Sequence, residues 1–85
     1  MRHFKDPKFQ SSYEALPRHV RAQADKSFVL LKRNPKHPSL HFKRMHGDLW
    51  SARVGRKYRA LPIEGTDGFH WFWIGTHSDY DSLVG

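Results

Sequence analysis

At 85 residues and with no cysteine, the chain is expected to form one small domain (1–85) whose core holds without disulfides, and thiolate zinc sites are excluded. Lys and Arg outnumber Asp and Glu by 15 to 8, a formal charge of +7 with seven histidines in reserve, which favours nucleic acid or an acidic protein as partner. The longest apolar runs, FVLL and WFWI, fall far short of the roughly 20 residues a membrane helix needs, MRHFKDPKF has no apolar stretch of signal-peptide length, and the expected setting is the reducing cytoplasm.

Asp6-Pro7 opens the first predicted helix, a capping carboxylate followed by proline at the first helical position. Phe9, Tyr13 and Leu16 follow at i, i+4 and i+7, one apolar stripe. Leu16-Pro17 breaks that helix, and Pro17 opens a second, PRHVRAQADKSFVLLKRN, whose buried stripe is Val20, Ala24, Phe28 and Leu31. Lys32 and Arg33 suit its C-terminal dipole, and Asn34-Pro35 stops it. The two helices should form an antiparallel hairpin.

Beyond NPKHPS the period becomes strand-like. Leu40 and Phe42 alternate with His41 and Lys43; after the His46-Gly47-Asp48 turn, Trp50, Ala52 and Val54 alternate with Ser51 and Arg53. Gly55-Arg56 turns into Tyr58 to Ile63, and Gly65 to Gly68 turn into Phe69 to Ile74. Successive hairpins predict a four-stranded antiparallel meander with the helix pair on one face, an α+β fold. The nearly continuous apolar FHWFWI belongs inside the sheet, and Trp50, Trp71 and Trp73 are assigned to core and sheet packing.

Three constellations bear on chemistry. Arg53 and Arg59 lie on the two strands of one hairpin; if they pair, two like charges face each other, which a sheet tolerates when an anion sits between them. One register slip would separate them, and a solvated basic face is the alternative. His41 and Lys43 are alternating polar positions that matter only on the arginine face. The third is IGTHSDYDSLVG: His77 ionises near neutrality and an adjacent Asp79 or Asp81 would raise its pKa, making imidazolium available as a general acid. Tyr80 can donate a hydrogen bond to a phosphoryl oxygen or stack on a base, and Asp81 can instead cap a terminal turn through Leu83. The His77, Asp79, Asp81 spacing matches no zinc or calcium pattern, and neither metal nor cofactor is expected.

In order along the chain, NPKHPSLHFK (Asn34 to Lys43), WSARVG (Trp50 to Gly55), YRAL (Tyr58 to Leu61) and IGTHSDYD (Ile74 to Asp81) together resemble the RelE/ParE superfamily of type II toxin-antitoxin toxins. The resemblance covers nearly the whole chain and implies a helical hairpin on a twisted antiparallel sheet. RelE-type members cut messenger RNA in the ribosome without metal, leaving a 2′,3′-cyclic phosphate and a 5′-hydroxyl. By position, the resemblance makes Arg59 the phosphate-binding arginine, Arg53 a second strand cation, His77 the general acid and Tyr80 the C-terminal tyrosine some members need. His41, Lys43 or Tyr58 would bind RNA or act as base. A nearby-encoded antitoxin with an acidic or amphipathic segment is the implied partner. Two departures are visible: Ser51 stands where the RelE type has a second lysine, and the usual first strand is reduced to RHFK at most. ParE-type relatives share the fold but poison DNA gyrase without chemistry, and a plain nucleic-acid-binding module is the remaining alternative.

Overall fold

The computed structural model describes residues 2–84. The chain runs β1 (His3–Lys5), α1 (Pro7–Glu14), α2 (Arg18–Arg33), β2 (Lys43–His46), β3 (Leu49–Val54), β4 (Tyr58–Gly65), β5 (Gly68–Thr76) and α3 (His77–Val84). The Asp6 carboxylate accepts the Lys8 N–H at 2.7 Å and Pro7 opens α1. In α2, Lys32 and Arg33 occupy the last turn, and the Asn34 N–H closes on the Leu30 carbonyl at 2.7 Å. Val20 and Leu31 are buried, with Ala24 and Phe28 half-buried on the same stripe. Tyr13 in α1 donates to Asp25 of α2 at 2.5 Å, a bond linking the two helices.

Strands β2 to β5 form the antiparallel meander expected, but the sheet has five strands, in the order β1-β5-β4-β3-β2. β1 pairs parallel to β5, with His3 opposite Phe69 and Lys5 opposite Trp71. The Phe69 N–H donates to the Arg2 carbonyl and the Asp6 N–H to the Trp71 carbonyl, both at 2.9 Å. The sheet is therefore mixed, and β5 has a neighbour on either side. A bulge between Leu61 and Pro62 lets the buried Pro62, which has no N–H to give, sit within β4.

The segment before β2 also differs from expectation. Pro38–Leu40 is a 3₁₀ turn, capped by the His37 Nδ1 accepting the Ser39 N–H at 3.2 Å, and the strand begins only at Lys43. Leu40 is drawn into the core, and His41 takes a left-handed backbone (φ 46°) to leave the turn.

The core lies between the helices and one sheet face: Phe9, Leu31 and Leu40 pack against Ala52, Val54, Ala60, Phe69, Trp71 and Ile74. Trp71 donates its indole N–H to His3 Nδ1 at 3.0 Å, so His3 sits in the fold as neutral imidazole. Burial, and then neighbouring cations including Lys32 and Lys5, lower its pKa below the ordinary 6.5. The unfolded chain then binds its proton first, so stability is full above the unfolded pKa and declines as pH falls through it toward the folded value. The thermal midpoint should fall between pH 7 and pH 5. His3→Gln, which keeps an acceptor for Trp71 but cannot titrate, should flatten that decline; an unchanged slope would contradict the assignment.

Candidate anion-binding and catalytic site

The sheet face turned away from α1 and α2 carries the site. Ala52 pairs Ala60 toward the core, so Arg53 pairs Arg59 on the opposite side, one strand apart. Arg59 pairs Gly75 on β5, so its guanidinium lies over the middle of the sheet. Three contacts hold it. Nη1 donates to Ser51 Oγ at 2.8 Å, Nε donates to His77 Nδ1 at 3.2 Å, and the Tyr80 ring centroid lies 5.1 Å from Cζ. Arg53 donates from Nε to the Gly55 carbonyl at 3.0 Å and approaches His41 Nε2 with Nη1 at 3.4 Å.

Every one of these acceptors is neutral. Among the described residues, no carboxylate lies within ion-pair distance of Arg53 or Arg59, whereas Arg44 on the helix-facing side is paired with Glu64 at 2.9 Å. Two facing guanidiniums without a counter-charge cost stability in the free protein and leave a concentrated positive potential. Between them opens a hollow of about 130 Å³ lined by Arg53, Arg56, Tyr58, Arg59 and His77. A second cavity, of about 50 Å³, lies in the seam between helices and sheet and is lined mostly by apolar side chains, with Lys5, Asp25 and Arg53 at its border.

His77 reaches the hollow because of how α3 begins. Its N–H donates to the Lys57 carbonyl at 2.7 Å, tying the first residue of α3 to the β3–β4 turn. Thr76 Oγ1 accepts the Asp79 N–H at 3.0 Å and caps the helix. Because a guanidinium can only donate, Nδ1 of His77 is the acceptor and the neutral ring carries its proton on Nε2. That nitrogen faces Asp81 Oδ2 at 3.8 Å, one helical turn on. Asp81 is thus the carboxylate on the imidazole side. Asp79, two residues along the helix, makes no contact with the ring among the described residues and sits in the first turn, where the helix dipole favours an anion.

Tyr80 is not placed to present its hydroxyl to a phosphate. It is 5 % exposed, its hydroxyl is buried without a partner among the described residues, and its ring stacks on His77 at 5.9 Å and 13°. One flat ring thus supports both the imidazole and the guanidinium. A buried hydroxyl lacking a partner costs about 1–3 kcal/mol, so Tyr80→Phe should raise the thermal midpoint by several degrees and leave the site's geometry intact. Tyr80→Ala, losing the ring, should loosen both His77 and Arg59. A phenylalanine variant that melts lower than wild type would show that the hydroxyl has a role this packing does not provide.

The remaining expected residues are distributed unevenly. Lys43 pairs Ser51, so it stands on the arginine face, exposed at the edge strand. His41 joins that face through Arg53 despite lying outside the strand. Tyr58 borders the hollow, but its register opposite Val54 and Thr76 puts its side chain on the helix-facing side, packed against the core. Two contributors escaped the sequence reading. Ser51 is 0 % exposed and anchors Arg59, so its hydroxyl supplies an acceptor where a further lysine was missed. Arg56, read as a turn residue, puts a third cation at the hollow. Alternation of Ser51 with Arg53 was the available signal for the first; nothing in the spacing marked the second. Among the described residues no cluster of three or more metal-ligating side chains occurs, and no helix is long and apolar enough to cross a membrane.

Residues 18–82 match the model of the ParE-like toxin domain, a span that includes every side chain around the hollow. The chain belongs to this family, within the RelE/ParE superfamily of toxins. Solved toxins share the fold of this ParE-like domain at low identity. The Methanococcus jannaschii RelB-RelE antitoxin-toxin complex contains a chain matching with TM-score 0.73 and 14% identity, over 96% of this chain and 99% of that one. YafQ from E. coli strain BL21(DE3) matches with TM-score 0.73 and 15% identity over 99% and 98%, and the isolated E. coli RelE toxin with 0.65 and 17% over 96% and 93%. No curated protein matches the sequence.

Proposed function

We propose that this ParE-like toxin domain is a metal-independent endoribonuclease that cleaves messenger RNA, with the ribosome presenting the substrate. The observation carrying this reading is the pair of facing guanidiniums, free of any carboxylate among the described residues, with a histidine nitrogen turned toward them around one hollow. A scissile phosphate seated there would replace the missing counter-charge, and Arg53 and Arg59 would stabilise the charge that builds on the phosphorane.

When a phosphate oxygen takes the Nε–H of Arg59, Nδ1 of His77 is released to carry a proton. The RNA 2′-hydroxyl then attacks phosphorus, giving its proton to a base, and the bond from phosphorus to the 5′-oxygen breaks. His77 Nδ1–H protonates that departing oxygen while Asp81 faces the other ring nitrogen. His41 is the best-placed base of the three expected: its Nε2 faces Arg53 on the same surface, and a phosphate oxygen that takes the Arg53 Nη1–H frees that lone pair for the 2′-hydroxyl proton. The products are a 2′,3′-cyclic phosphate and a 5′-hydroxyl. A domain with 85 residues offers little surface to hold RNA in line alone, which is why the ribosome is assigned that task.

The same uncompensated charge suits an antitoxin segment bearing carboxylates, and a structural neighbour is a RelB-RelE antitoxin-toxin complex. Inducing the protein in cells and following growth, mRNA ends and DNA breaks together tests the reading. Growth arrest with new mRNA ends supports it. Arrest with gyrase-linked DNA breaks and intact mRNA would instead indicate a gyrase poison, and absence of arrest a plain binding module.

A further inference from the structure

Trp73 differs from the other two tryptophans. Trp50 donates its indole N–H to Glu64 Oε1 and Trp71 to His3 Nδ1, both at 3.0 Å, and both rings belong to the aromatic cluster of the core side. Trp73 is half-buried, its N–H has no partner and its ring stacks on no other ring among the described residues. Register explains where it lies. Trp73 pairs Leu61 while Gly75 pairs Arg59, so the indole stands on the arginine face, one same-side step, roughly 7 Å, from the row of Arg59.

The ring leans along β5 toward Gly75, the residue opposite Arg59. A β-carbon on Gly75 would lie 2.7 Å from Cζ2 and 2.9 Å from Cη2 of Trp73, so the six-membered ring rests in the space that glycine leaves open. Along this part of the chain the order is Trp73, Gly75, His77, with Arg59 opposite the middle member. A phosphate on Arg59 therefore has an imidazole on one side and an indole on the other.

From this placement we infer that Trp73 is a base-stacking subsite for single-stranded RNA, taking the base of the nucleotide whose 2′-hydroxyl attacks. The assignment of that nucleotide rests on the proposed nuclease reading: His77 protonates the 5′-oxygen, so the nucleoside beyond that oxygen lies on the His77 side and the attacking one on the Trp73 side. An indole face accepts any base, and stacking would fix the ribose for in-line attack. Trp73 is thus a positioning residue that binds substrate beside the catalytic groups.

Binding of two uncleavable probes to the full chain tests this: a thymidine pentadeoxynucleotide, and a pentamer with the same phosphates but abasic sugars. Wild type should prefer the base-bearing probe by about 10-fold, the scale of one base–aromatic stack, and its tryptophan emission should be quenched by that probe alone. Trp73→Phe should retain most of the preference, and Trp73→Leu should bring the two probes within about 2-fold. Should the leucine variant fail to fold, Gly75→Ala displaces the ring without removing it and should also lower the preference. Equal wild-type affinity for both probes, or a leucine variant with the full preference, overturns the subsite. Because neither probe can be cleaved, a protein that discriminates between them yet leaves RNA intact keeps the stacking subsite and loses the nuclease.

Discussion

Replacing Arg59 by alanine should lower the rate of mRNA cleavage by about 10²- to 10³-fold, the effect typical of deleting one preorganised donor to a developing anion, and lysine should restore little of it. Arg59 is fixed from three sides: by the buried Ser51 hydroxyl, by His77 and by the Tyr80 ring beneath it. A lysine ammonium on a flexible stem cannot reproduce the planar fork that satisfies Ser51 and His77 and still offers N–H groups to phosphate. The loss should appear in kcat, because the charge being stabilised develops at the transition state. Arg53 allows a sharper version. Arg53→Gln keeps hydrogen-bonding capacity and removes one of two facing charges, which are mutually destabilising by roughly 0.2–1 kcal/mol. Its thermal midpoint should therefore rise slightly while activity falls. A variant that loses both stability and activity would mark Arg53 as structural.

The second large effect belongs to His77. His77→Ala should reduce cleavage by about 10²- to 10⁴-fold, the usual contribution of a positioned general acid, without unfolding the protein, because the side chain is exposed and α3 is held by the His77 backbone N–H and the Thr76 cap. Asp81→Asn, one helical turn away, should have a smaller effect, since it touches the acid from 3.8 Å and not the substrate. Circular dichroism on the same samples separates loss of chemistry from loss of α3. Full activity in His77→Ala would remove histidine from the reaction and leave the arginines as an anion-binding pair only.

Much of the sheet was legible in advance. Glycine-marked turns and two-residue alternation set the meander, and the same alternation put Arg53 opposite Arg59 once Gly55 was taken as the turn. The left-handed Gly55 (φ 61°) also lies against α2, where a β-carbon would meet the Gln23 side chain at 2.7 Å, so helix packing supports the register read from the turn. β1 was not legible because three residues carry no periodicity, and its pairing is with a strand more than sixty positions away. His41 was misplaced because Leu40, buried in the core, overrides the local alternation and bends the chain before Lys43.

The site was legible in its parts and not in its supports. Arg59, Arg53 and His77 carry chemical types that announce themselves, but the anchors do not. Ser51 looked like an absent cation, and only burial and the 2.8 Å bond show a hydroxyl holding Arg59. Tyr80 suggested a phosphate donor, yet α3 buries the whole side chain, hydroxyl included, with its ring packed beneath the two working groups. The start signal of that helix, Thr76 followed three residues later by Asp79, is present in the sequence, but the expected terminal turn was assigned to Asp81 as its cap. Trp73 was grouped with two core tryptophans because residue type alone does not say which face of β5 it occupies.

The most direct measurement is to incubate the purified domain with mRNA-programmed ribosomes in the presence of a chelator that leaves ribosomes intact, and to map the chemistry of the new RNA ends. Fragments ending in a 2′,3′-cyclic phosphate and beginning with a 5′-hydroxyl, formed by wild type and suppressed in Arg59→Ala and His77→Ala, are the predicted result. Uncut RNA, or equal cleavage by all three proteins, would contradict the account.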